Sequence, residues 1–314
     1  MSKILVTGGL GTVGSVLVQT LTAKGHDVHV ADLSHHHEGN YSRCDIGSFY
    51  QVERLLSKGK FDYVYNLAAE FGRWNGEDYY DTLWRSNAVG TKNIIRMQER
   101  LGFRLIHFSS SEVYGDYDGV MSEDVMDKYE VKQMNDYAMT KWVNEMQIMN
   151  SAQMYKTESV RVRLFNTYGP GEYYSPYRSV ICLFIYRALF NIPYKVFLGH
   201  HRTSSYVTDT AATLSNIVEN FKPGEVYNIG GTEYHDIKTV SDMIIKYLGK
   251  SDSFVEYVEH EPFTTKDKKV DLTKAIRDLK HNPVVKLEEG IPKTIEWMKS
   301  VYINDKDVIY PKFI

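Results

Sequence analysis

Tyr137 and Lys141 form the first pair whose residue types and spacing could do chemistry. They lie four positions apart in the segment DYAMTKW, and on an α-helix this spacing places both side chains on one face. A tyrosine titrates at about pH 10 and is a poor base at neutral pH. A nearby cation favours the phenolate and lowers the tyrosine pKa. The pair could therefore remove a proton from a hydroxyl while hydride leaves the same carbon.

A single carboxylate stands in the segment FSSSEVYGDY, which runs from Phe108 to Tyr117. Glu112 follows an apolar run and three consecutive serines. Two interpretations are open: a strand that ends in a polar turn, or a catalytic base at the mouth of a sheet. The choice between these two interpretations depends on the other motifs of the chain.

The segment VTGGLGTVG spaces three glycines as Gly-x-x-Gly-x-x-Gly. An apolar run precedes it and a helical pattern follows it, which is the context of a dinucleotide-binding turn. Gly8 allows the tight turn, Gly11 the approach of a pyrophosphate, and Gly14 close packing of the helix on the sheet. The phosphates then lie at the N-terminus of the helix, beside Thr12 and Val13. We therefore predict a dinucleotide cofactor.

Asp32 ends the second apolar run, DVHVADL. A carboxylate here accepts hydrogen bonds from the adenosine ribose and repels a 2′-phosphate, which favours NAD over NADP. The next residues, SHHH from Ser34 to His37, could soften that preference. Consecutive histidines on a loop rarely converge on one metal ion. We therefore predict a polar loop and no metal site.

These residues need a scaffold that brings distant segments together. Strands are indicated at KILVTGG, DVHVADL, FDYVYNLAA, RLIHFSSS, ESVRVRLFNTYGPG and GEVYNIGG, and most are separated by helical patterns. Such alternation predicts a parallel sheet with helices on both faces. The fold class that we predict is α/β: a Rossmann-type doubly wound parallel sheet with a smaller α/β C-terminal substrate lobe.

The composition argues against several functional classes. Of 314 residues, 43% are hydrophobic and 25% are charged, and the net charge is −3. These values are typical of a globular protein and give no basic footprint for nucleic acid. The two cysteines imply no disulfide framework, and we find no membrane-spanning run and no signal-peptide pattern. We expect a cytoplasmic protein that binds neither nucleic acid nor membrane.

Seven segments together resemble the extended short-chain dehydrogenase/reductases, and within them the NAD-dependent nucleotide-sugar epimerase/dehydratase family. They follow the family order: TGGLGTVG, NLAA, SNAVGT, SSSEVYG, YAMTK, LFNTYGPG and YVTD. The resemblance runs from residue 3 to about residue 300. It implies an enzyme that keeps NAD bound while it oxidises a nucleotide-linked hexose, usually at C4, and that returns the hydride at the end.

The resemblance also assigns roles to individual positions. Ser110 matches the residue that hydrogen-bonds the hydroxyl being oxidised, and Tyr137 and Lys141 match the catalytic pair. Asn166 and Arg202 match residues that contact the sugar or the diphosphate. The positions that it places along the cofactor are Asp45, Ile46, Leu67, Ala68, Ala69 and Asn87. Asn87 and Asn166 could instead only cap local backbone.

Glu112 gains a specific meaning from the resemblance. In dehydratases of this family a glutamate removes the C5 proton once C4 is a ketone, because a C–H bond beside a carbonyl is acidic enough for a placed carboxylate. Simple 4-epimerases need no such base. Ser111, which we place among the substrate contacts, replaces the aspartate that acts as the acid in the S-T-D-E form. The Ser-Ser-Glu form resembles GDP-mannose dehydratases and also UDP-glucuronate decarboxylases.

Three segments depart from the family pattern. AAEFGRWNGEDYY carries Arg73, which could recognise a carboxylate or phosphate or could be a solvated loop charge. HHRTSSYV keeps Arg202 but changes the polarity around it. TTKDKKVD offers Lys269 where an arginine often contacts the nucleotide. Because lysine lacks the bidentate fork of arginine, recognition at this point would be looser.

We predict an NAD-dependent nucleotide-sugar 4,6-dehydratase that acts through a transient 4-keto intermediate, a lyase rather than an isomerase. A UDP-glucuronate-type decarboxylase and a nucleotide-sugar 4- or 5-epimerase are the alternatives with related chemistry. A non-catalytic NAD-binding sensor is an alternative from another class. The complete set of Ser110, Glu112, Tyr137 and Lys141 argues against a sensor, because a sensor need not keep all four.

The organisation of the chain follows from the same patterns. Regularity weakens after Asn166, and no linker rich in Pro, Ser or Gly separates the halves. We expect an NAD-binding domain and a nucleotide-sugar-binding lobe: the first over 1–166 with a returning segment near 205–229, the second over 167–204 and 230–314. Helices near 82–101 and 135–153 are expected to form the interface of a homodimer, as in relatives.

Overall fold

The computed structural model describes residues 1–36, 39–259 and 261–304. Its strands are β1 (Lys3–Thr7), β2 (Asp27–Asp32), β3 (Tyr41–Arg43), β4 (Tyr63–Asn66), β5 (Arg104–Ser110), β6 (Val120–Met121), β7 (Ser159–Leu164), β8 (Thr167–Tyr168), β9 (Tyr194–Phe197), β10 (His201–Thr203), β11 (Ser205–Tyr206), β12 (Val226–Ile229), β13 (Tyr234–Asp236), β14 (Val255–Val258) and β15 (Lys269–Val270).

The helices lie mostly between these strands. They are α1 (Thr12–Ala23), α2 (Phe49–Gly59), α3 (Arg73–Asp78), α4 (Tyr80–Trp84), α5 (Gly90–Leu101), α6 (Val125–Lys128), α7 (Asp136–Tyr155), α8 (Val180–Leu189), α9 (Val207–Ser215), α10 (Ile237–Leu248), α11 (Thr273–Leu279) and α12 (Leu287–Lys299). A π-helical turn over Arg85–Val89 joins α4 to α5, so the long helix predicted near 82–101 is interrupted.

Seven strands form the central sheet, in the order β12-β7-β5-β4-β1-β2-β3. Every neighbouring pair in it is parallel. The order reverses between β1 and β4, because the chain builds outward from β1 in one direction and from β4 in the other. The connections that leave these two strands therefore diverge and open a crevice at the carboxyl edge of the sheet. This arrangement confirms the predicted doubly wound parallel sheet.

Burial explains why these segments form strands. Ile4, Leu5 and Val6 in β1 are each fully buried, because helices cover both faces of a parallel sheet. On one face Ile4 and Val6 join a core with Leu17 of α1. On the other face Leu5 joins a second core with Ile94 of α5.

A buried polar network fixes α7 against the sheet. Glu145 of α7 accepts a hydrogen bond of 2.6 Å from the Ser109 hydroxyl of β5. The same carboxylate pairs with Arg163 of β7 at 2.9 Å, and neither ionic side chain is more than 2% exposed. Asn135 caps the start of the helix by accepting the backbone N–H of Ala138. The first turn of α7 is thereby held close to the end of β5.

The second half of the chain builds a smaller α/β lobe and also returns to the sheet. Helices α8, α10 and α12 share a core that includes Ile185, Ile244 and Ile295. Strand β9 pairs with β14 in this lobe, while β12 pairs with β7 at the edge of the central sheet. The domain boundaries drawn from the sequence stay a prediction, and residues 305–314 of the predicted lobe lie outside the described residues.

Two further expectations concern surfaces. Within the described ranges, we find no helix whose length and apolar character would let it cross a membrane. Helix α7 exposes Met139, Met146 and Met149, and it is one of the two helices expected at a subunit interface. The homodimer stays a prediction.

Candidate active site

The crevice at the carboxyl edge of the sheet is a cleft of about 1210 Å³. It extends from the glycine-rich loop, past the end of β5, to the smaller lobe. The residues predicted from the sequence that line it are Gly8, Gly11, Thr12, Val13, Gly14, Asp32, Asp45, Ile46, Leu67, Ala68, Ala69, Arg73, Ser110, Ser111, Glu112, Tyr137, Lys141, Asn166 and Arg202. The fold thus brings residues from both halves of the chain into one cleft.

The glycine-rich loop is too tightly packed for other residues at two positions. Gly8 has φ +69°, and a Cβ atom there would lie 2.7 Å from the backbone nitrogen of Ala68. A Cβ atom on Gly14 would lie 2.2 Å from the carbonyl oxygen of Gly8. Gly11 has more room and donates its backbone N–H to the Gly8 carbonyl at 3.1 Å. The loop therefore presents bare backbone at the N-terminus of α1, and helix N-termini are sites at which proteins bind phosphate groups.

Asp32 ends β2 at the rim of the same loop. Its carboxylate accepts the backbone N–H of Leu10 at 3.0 Å and that of Leu33 at 2.8 Å, which fixes its position beside the glycines. His35 hydrogen-bonds the guanidinium of Arg43 at 2.9 Å, so a cation lies near this rim. His37, part of the predicted polar loop, lies outside the described residues.

The other residues predicted along the cofactor divide into two groups. Asp45 and Ile46 line the cleft, and Asp45 is ion-paired with Arg85. Asn87 is 1% exposed and lies behind the wall: its amide oxygen accepts the Glu70 backbone N–H at 2.8 Å. Its amide nitrogen donates to the Glu70 carbonyl at 3.0 Å and to Thr140 at 3.1 Å. The structure gives Asn87 a local bonding role, which the sequence had left as an alternative.

Tyr137, Lys141 and Ser110 meet in the middle of the cleft. The ammonium of Lys141 lies 5.6 Å from the centre of the Tyr137 ring and donates to the carbonyl of Phe108 at 2.9 Å. Ser110 hydrogen-bonds the Tyr137 phenol. The four-residue spacing therefore produces the predicted geometry, in which both side chains face the end of β5.

Burial dominates the proton affinities of this pair. Burial raises the pKa of Tyr137 to about 12, although the hydrogen bond from Ser110 lowers it. Burial also lowers the pKa of the Lys141 ammonium to about 8. Lys141 alone therefore does not offset the burial of the phenol, and a phenolate at neutral pH needs a further positive charge nearby.

Glu112 lies on a short 3₁₀ turn, Ser111–Tyr114, that directly follows β5. The Ser110 hydroxyl caps this turn by accepting the Glu112 backbone N–H at 3.2 Å. Gly115 ends it with φ +52°, and a Cβ atom there would lie 2.1 Å from the Lys132 carbonyl. The turn places Glu112 in the wall of the cleft two residues after Ser110, which argues against a solvated strand-end acid.

Lys268 is the partner of Glu112, and the sequence analysis missed it. Its ammonium forms an ion pair with the Glu112 carboxylate, and its side chain is 3% exposed. The neighbouring Lys269, predicted as the substrate contact, is exposed and lines a smaller recess with Val120 and Tyr234. Successive side chains in an extended segment point to opposite sides. An assignment from the sequence that is displaced by one residue therefore selects the exposed Lys269 instead of the buried Lys268.

Two arginines complete the charged part of the cleft. Arg73 pairs with Glu261 at 2.6 Å, which links α3 to a segment of the second lobe. Arg202 lies 3.8 Å from the same carboxylate and donates to the backbone carbonyls of His201 and Lys266 at 2.8 Å each. Arg73 is therefore part of the cleft rather than a solvated loop charge.

The carboxylate at the centre of this group is strongly ionised. Burial alone would raise the pKa of Glu112, but Lys268, Arg73 and Arg202 lower it to about 2. Glu112 is therefore a carboxylate over the whole physiological pH range. A carboxylate, a tyrosine–lysine pair and a dinucleotide loop in one cleft suit oxidation of an alcohol followed by proton removal beside the new carbonyl.

Residues 4–230 match the NAD dependent epimerase/dehydratase family. The chain belongs to this family. Membership confirms the resemblance seen in the sequence motifs, and NAD is the cofactor.

Individual members of the epimerase/dehydratase family are similar over nearly the whole chain. A UDP-N-acetyl-alpha-D-glucosaminuronate decarboxylase of Bacillus cytotoxicus is 29% identical over 95% of this chain and 98% of its own length. A dTDP-glucose 4,6-dehydratase of Salmonella typhimurium is 28% identical over 94% and 92%. The crystal structure of a UDP-glucuronic acid 4-epimerase from Bacillus cereus, with UDP-glucuronic acid and NAD, aligns with a TM-score of 0.84 at 26% identity, over 96% and 100%.

The cleft of this epimerase/dehydratase member fits NAD. The crowded glycine loop brings the N-terminus of α1 to the cleft, where the first N–H groups of the helix would bind a pyrophosphate, and Asp32 lines the cleft beside this loop. When bound, NAD accepts a hydride from the substrate and later gives it back. Its positively charged ring would also favour the Tyr137 phenolate, for which Lys141 alone is not sufficient.

We expect the purified protein to contain NAD(H) rather than NADP(H). A hydrogen bond to a charged group contributes about 1.5–3 kcal/mol, so Asp32→Ala should weaken NAD binding by about tenfold or more. Asp27→Ala, at the other end of β2, is the matched control and should leave binding unchanged. Chromatography of the cofactor released on denaturation identifies the bound dinucleotide. Calorimetric titration measures the NAD affinity of the two variants. Release of mainly NADP(H) would contradict the role of Asp32.

Proposed function

We propose that this chain is an NAD-dependent nucleotide-sugar 4,6-dehydratase that acts through a transient 4-keto intermediate. The observation that carries the proposal is the position of Glu112 in the same cleft wall as Ser110, facing the Tyr137–Lys141 pair. An enzyme that only oxidised and reduced C4 would need no carboxylate at this point. Dehydration needs one, because the C5 proton must be removed before the C6 hydroxyl leaves.

The first step, oxidation at C4, takes place in the middle of the cleft. The Tyr137 phenolate accepts the proton of the C4 hydroxyl, which Ser110 orients by hydrogen bonding. The Lys141 ammonium, held by the Phe108 carbonyl, stabilises the negative charge on the phenolate. The product of this step is a C4 ketone, which makes the adjacent C5–H bond acidic.

The second step belongs to Glu112. Its carboxylate removes the C5 proton and becomes a neutral carboxylic acid. Since Ser111 replaces the family's acidic residue, Glu112 also returns this proton to the C6 hydroxyl, which then leaves as water. The C–H and C–O bonds break, a C5–C6 double bond forms, and the carboxylate is regenerated. Lys268, Arg73 and Arg202 lower the pKa of Glu112, which favours release of the proton by the neutral carboxylic acid.

The part of the cleft around and beyond Arg202 supports a nucleoside diphosphate as the nucleotide end of the substrate. Arg202 is 6% exposed and faces the cleft, so it would meet the diphosphate in a low-dielectric setting where charge pairing is strong. Aromatic side chains continue the wall beyond it at Phe184, Tyr194 and Phe197. Such flat apolar surfaces suit a nucleobase.

A decarboxylase acting on a nucleotide-linked uronate is the second candidate. The observation that favours it is the group of three cations near Glu112, namely Arg73, Arg202 and Lys268, which could hold a substrate carboxylate. We rank it second because all three cations already have a carboxylate partner: Glu261 for Arg73 and Arg202, and Glu112 for Lys268. A substrate carboxylate would also meet the negative charge of Glu112.

Mass spectrometry of the NAD-loaded enzyme with a panel of nucleotide sugars tests the proposal. The panel should contain UDP-, dTDP-, GDP- and CDP-hexoses and the matching uronates. We expect one hexose to lose one water. Loss of carbon dioxide from a uronate would contradict the proposal and show that the enzyme is a decarboxylase. Isomerisation of a sugar without change of mass would indicate an epimerase. Binding without any conversion would favour a sensor.

A further inference from the structure

The proposed mechanism gives no task to Lys268, although this residue makes the most direct contact with the base. Lys268 comes from the second lobe, 156 positions after Glu112. Its side chain is 3% exposed and that of Glu112 is 17% exposed. Burying an ammonium is costly unless it is paired, so this lysine is held at the cleft wall by its contact with Glu112.

Other charged groups facing Glu112 are engaged elsewhere. Arg73, from α3, is bonded to Glu261 at 2.6 Å. Arg202, from β10, donates to backbone carbonyls and lowers the pKa of Glu112 through its charge. Tyr137, from α7, is neutral as a phenol and negatively charged as the phenolate of the proposed mechanism, so it cannot form an ion pair with Glu112 in either form. Among the described residues, the ion pair with Glu112 is therefore made by Lys268.

The pairing is also one-sided. Lys268 binds one carboxylate oxygen, Oε1, and the backbone N–H of Glu112 is bound by the Ser110 hydroxyl. The backbone of Glu112 and one of its carboxylate oxygens are thereby held in place. Among the hydrogen bonds of the described residues, none is made to the other oxygen, Oε2, and the Glu112 side chain is 17% exposed in a cleft wall that also contains Ser110.

We propose that Lys268 is a positioning residue for Glu112, which compensates the charge of the carboxylate and directs Oε2 toward the substrate. The inference rests on the proposed function, in which Glu112 is the base at C5. Lys268 acts through Glu112 and exchanges no proton with the sugar.

The charge compensation has a definite sign. Burial raises the pKa of Glu112, and Lys268 is the largest of the groups that lower it to about 2. Without Lys268 the pKa rises, and a protonated carboxyl cannot accept the C5 proton. Loss of an adjacent opposite charge typically shifts a carboxyl by about 1–3 pH units. In a variant without Lys268, the activity should therefore become sensitive to mild acid, to which the wild-type activity is insensitive.

The first test is the pH profile of kcat/KM for Lys268→Met, Lys268→Arg and Lys246→Met, with the hexose that the panel identifies. We expect the acid limb of Lys268→Met to move up by about 1–3 pH units relative to the wild type. Lys268→Arg should restore the wild-type profile in large part, because it keeps the charge. Lys246→Met, at an exposed lysine of α10 in the same lobe, should match the wild type. An unmoved acid limb in folded Lys268→Met would overturn the proposal.

The second test needs no turnover and separates this inference from the proposed function. The NAD-loaded protein is labelled with ¹³C at the glutamate side-chain carboxyl, and Glu112→Gln identifies the resonance. We expect the Glu112 signal to stay that of a carboxylate down to about pH 4 in the wild type, and to titrate above it in Lys268→Met. Identical titrations would reject the role of Lys268 even if dehydration were found. A shifted titration without dehydration would reject only the proposed function.

Discussion

Replacement of Tyr137 by Phe is expected to reduce turnover by about 10²–10⁴-fold, which is the usual contribution of a placed general base. The phenylalanine ring keeps the packing of the first turn of α7, but it cannot accept the proton of the substrate hydroxyl. Binding of the nucleotide sugar should remain close to that of the wild type. Single-turnover kinetics and calorimetric titration measure the two quantities.

A matched control lies at the other end of the same helix. Tyr155→Phe removes an exposed phenol from the last turn of α7 and should leave both quantities unchanged. If Tyr137→Phe kept more than about a tenth of the wild-type rate, a role in general-base catalysis would have to be abandoned.

Replacement of Glu112 by Gln is expected to separate oxidation from water loss. The amide cannot remove the C5 proton, so product should form about 10²–10⁴-fold more slowly. Oxidation at C4 depends on Tyr137 and Lys141, which remain intact. The absorbance of reduced nicotinamide should therefore rise without dehydrated product, and C5 should take up no deuterium from solvent. Glu130→Gln, at an exposed glutamate downstream of the 3₁₀ turn, is the control.

The other outcomes of this experiment are equally informative. Normal dehydration by Glu112→Gln would make Glu112 a structural carboxylate at the end of β5. A block before any reduced nicotinamide appears would mean that Glu112 orients the substrate or the cofactor. Because Lys268 would lose its counter-charge in this variant, a thermal melt must first show that the protein is folded.

Much of the cofactor half could be predicted from the sequence because its signals are local. Gly8 and Gly14 are required because a Cβ atom at either position would clash with nearby backbone atoms. Such positions appear in the sequence as glycines at fixed spacing. The pair Tyr137 and Lys141 needs only the helical repeat to be placed on one face. The alternation of apolar strands and amphipathic helices also predicted the parallel sheet, although the three-residue strand β3 is too short to leave a pattern.

The details that sequence could not give are long-range ones. Lys268 and Lys269 are chemically identical neighbours, and only the pairing of β15 with β6 decides which of them is buried. Asn87 matches a family position, yet its amide is bonded to Glu70 and Thr140. The effect of burial on the pKa of Tyr137 depends on the surrounding elements, and residue types alone do not contain this information.

The late return of β12 to the central sheet has a consequence for folding during synthesis. Strand β7 ends at Leu164 and its outer neighbour β12 begins at Val226, so about 60 residues must be made between them. At about 5–20 residues per second this takes roughly 3–12 s. During that interval β7 is an edge strand with unpaired backbone groups, which is a template for association between nascent chains. Slow translation of this segment, or loss of a chaperone that covers the edge, should therefore lower the yield of native protein more than it lowers the stability of the finished fold.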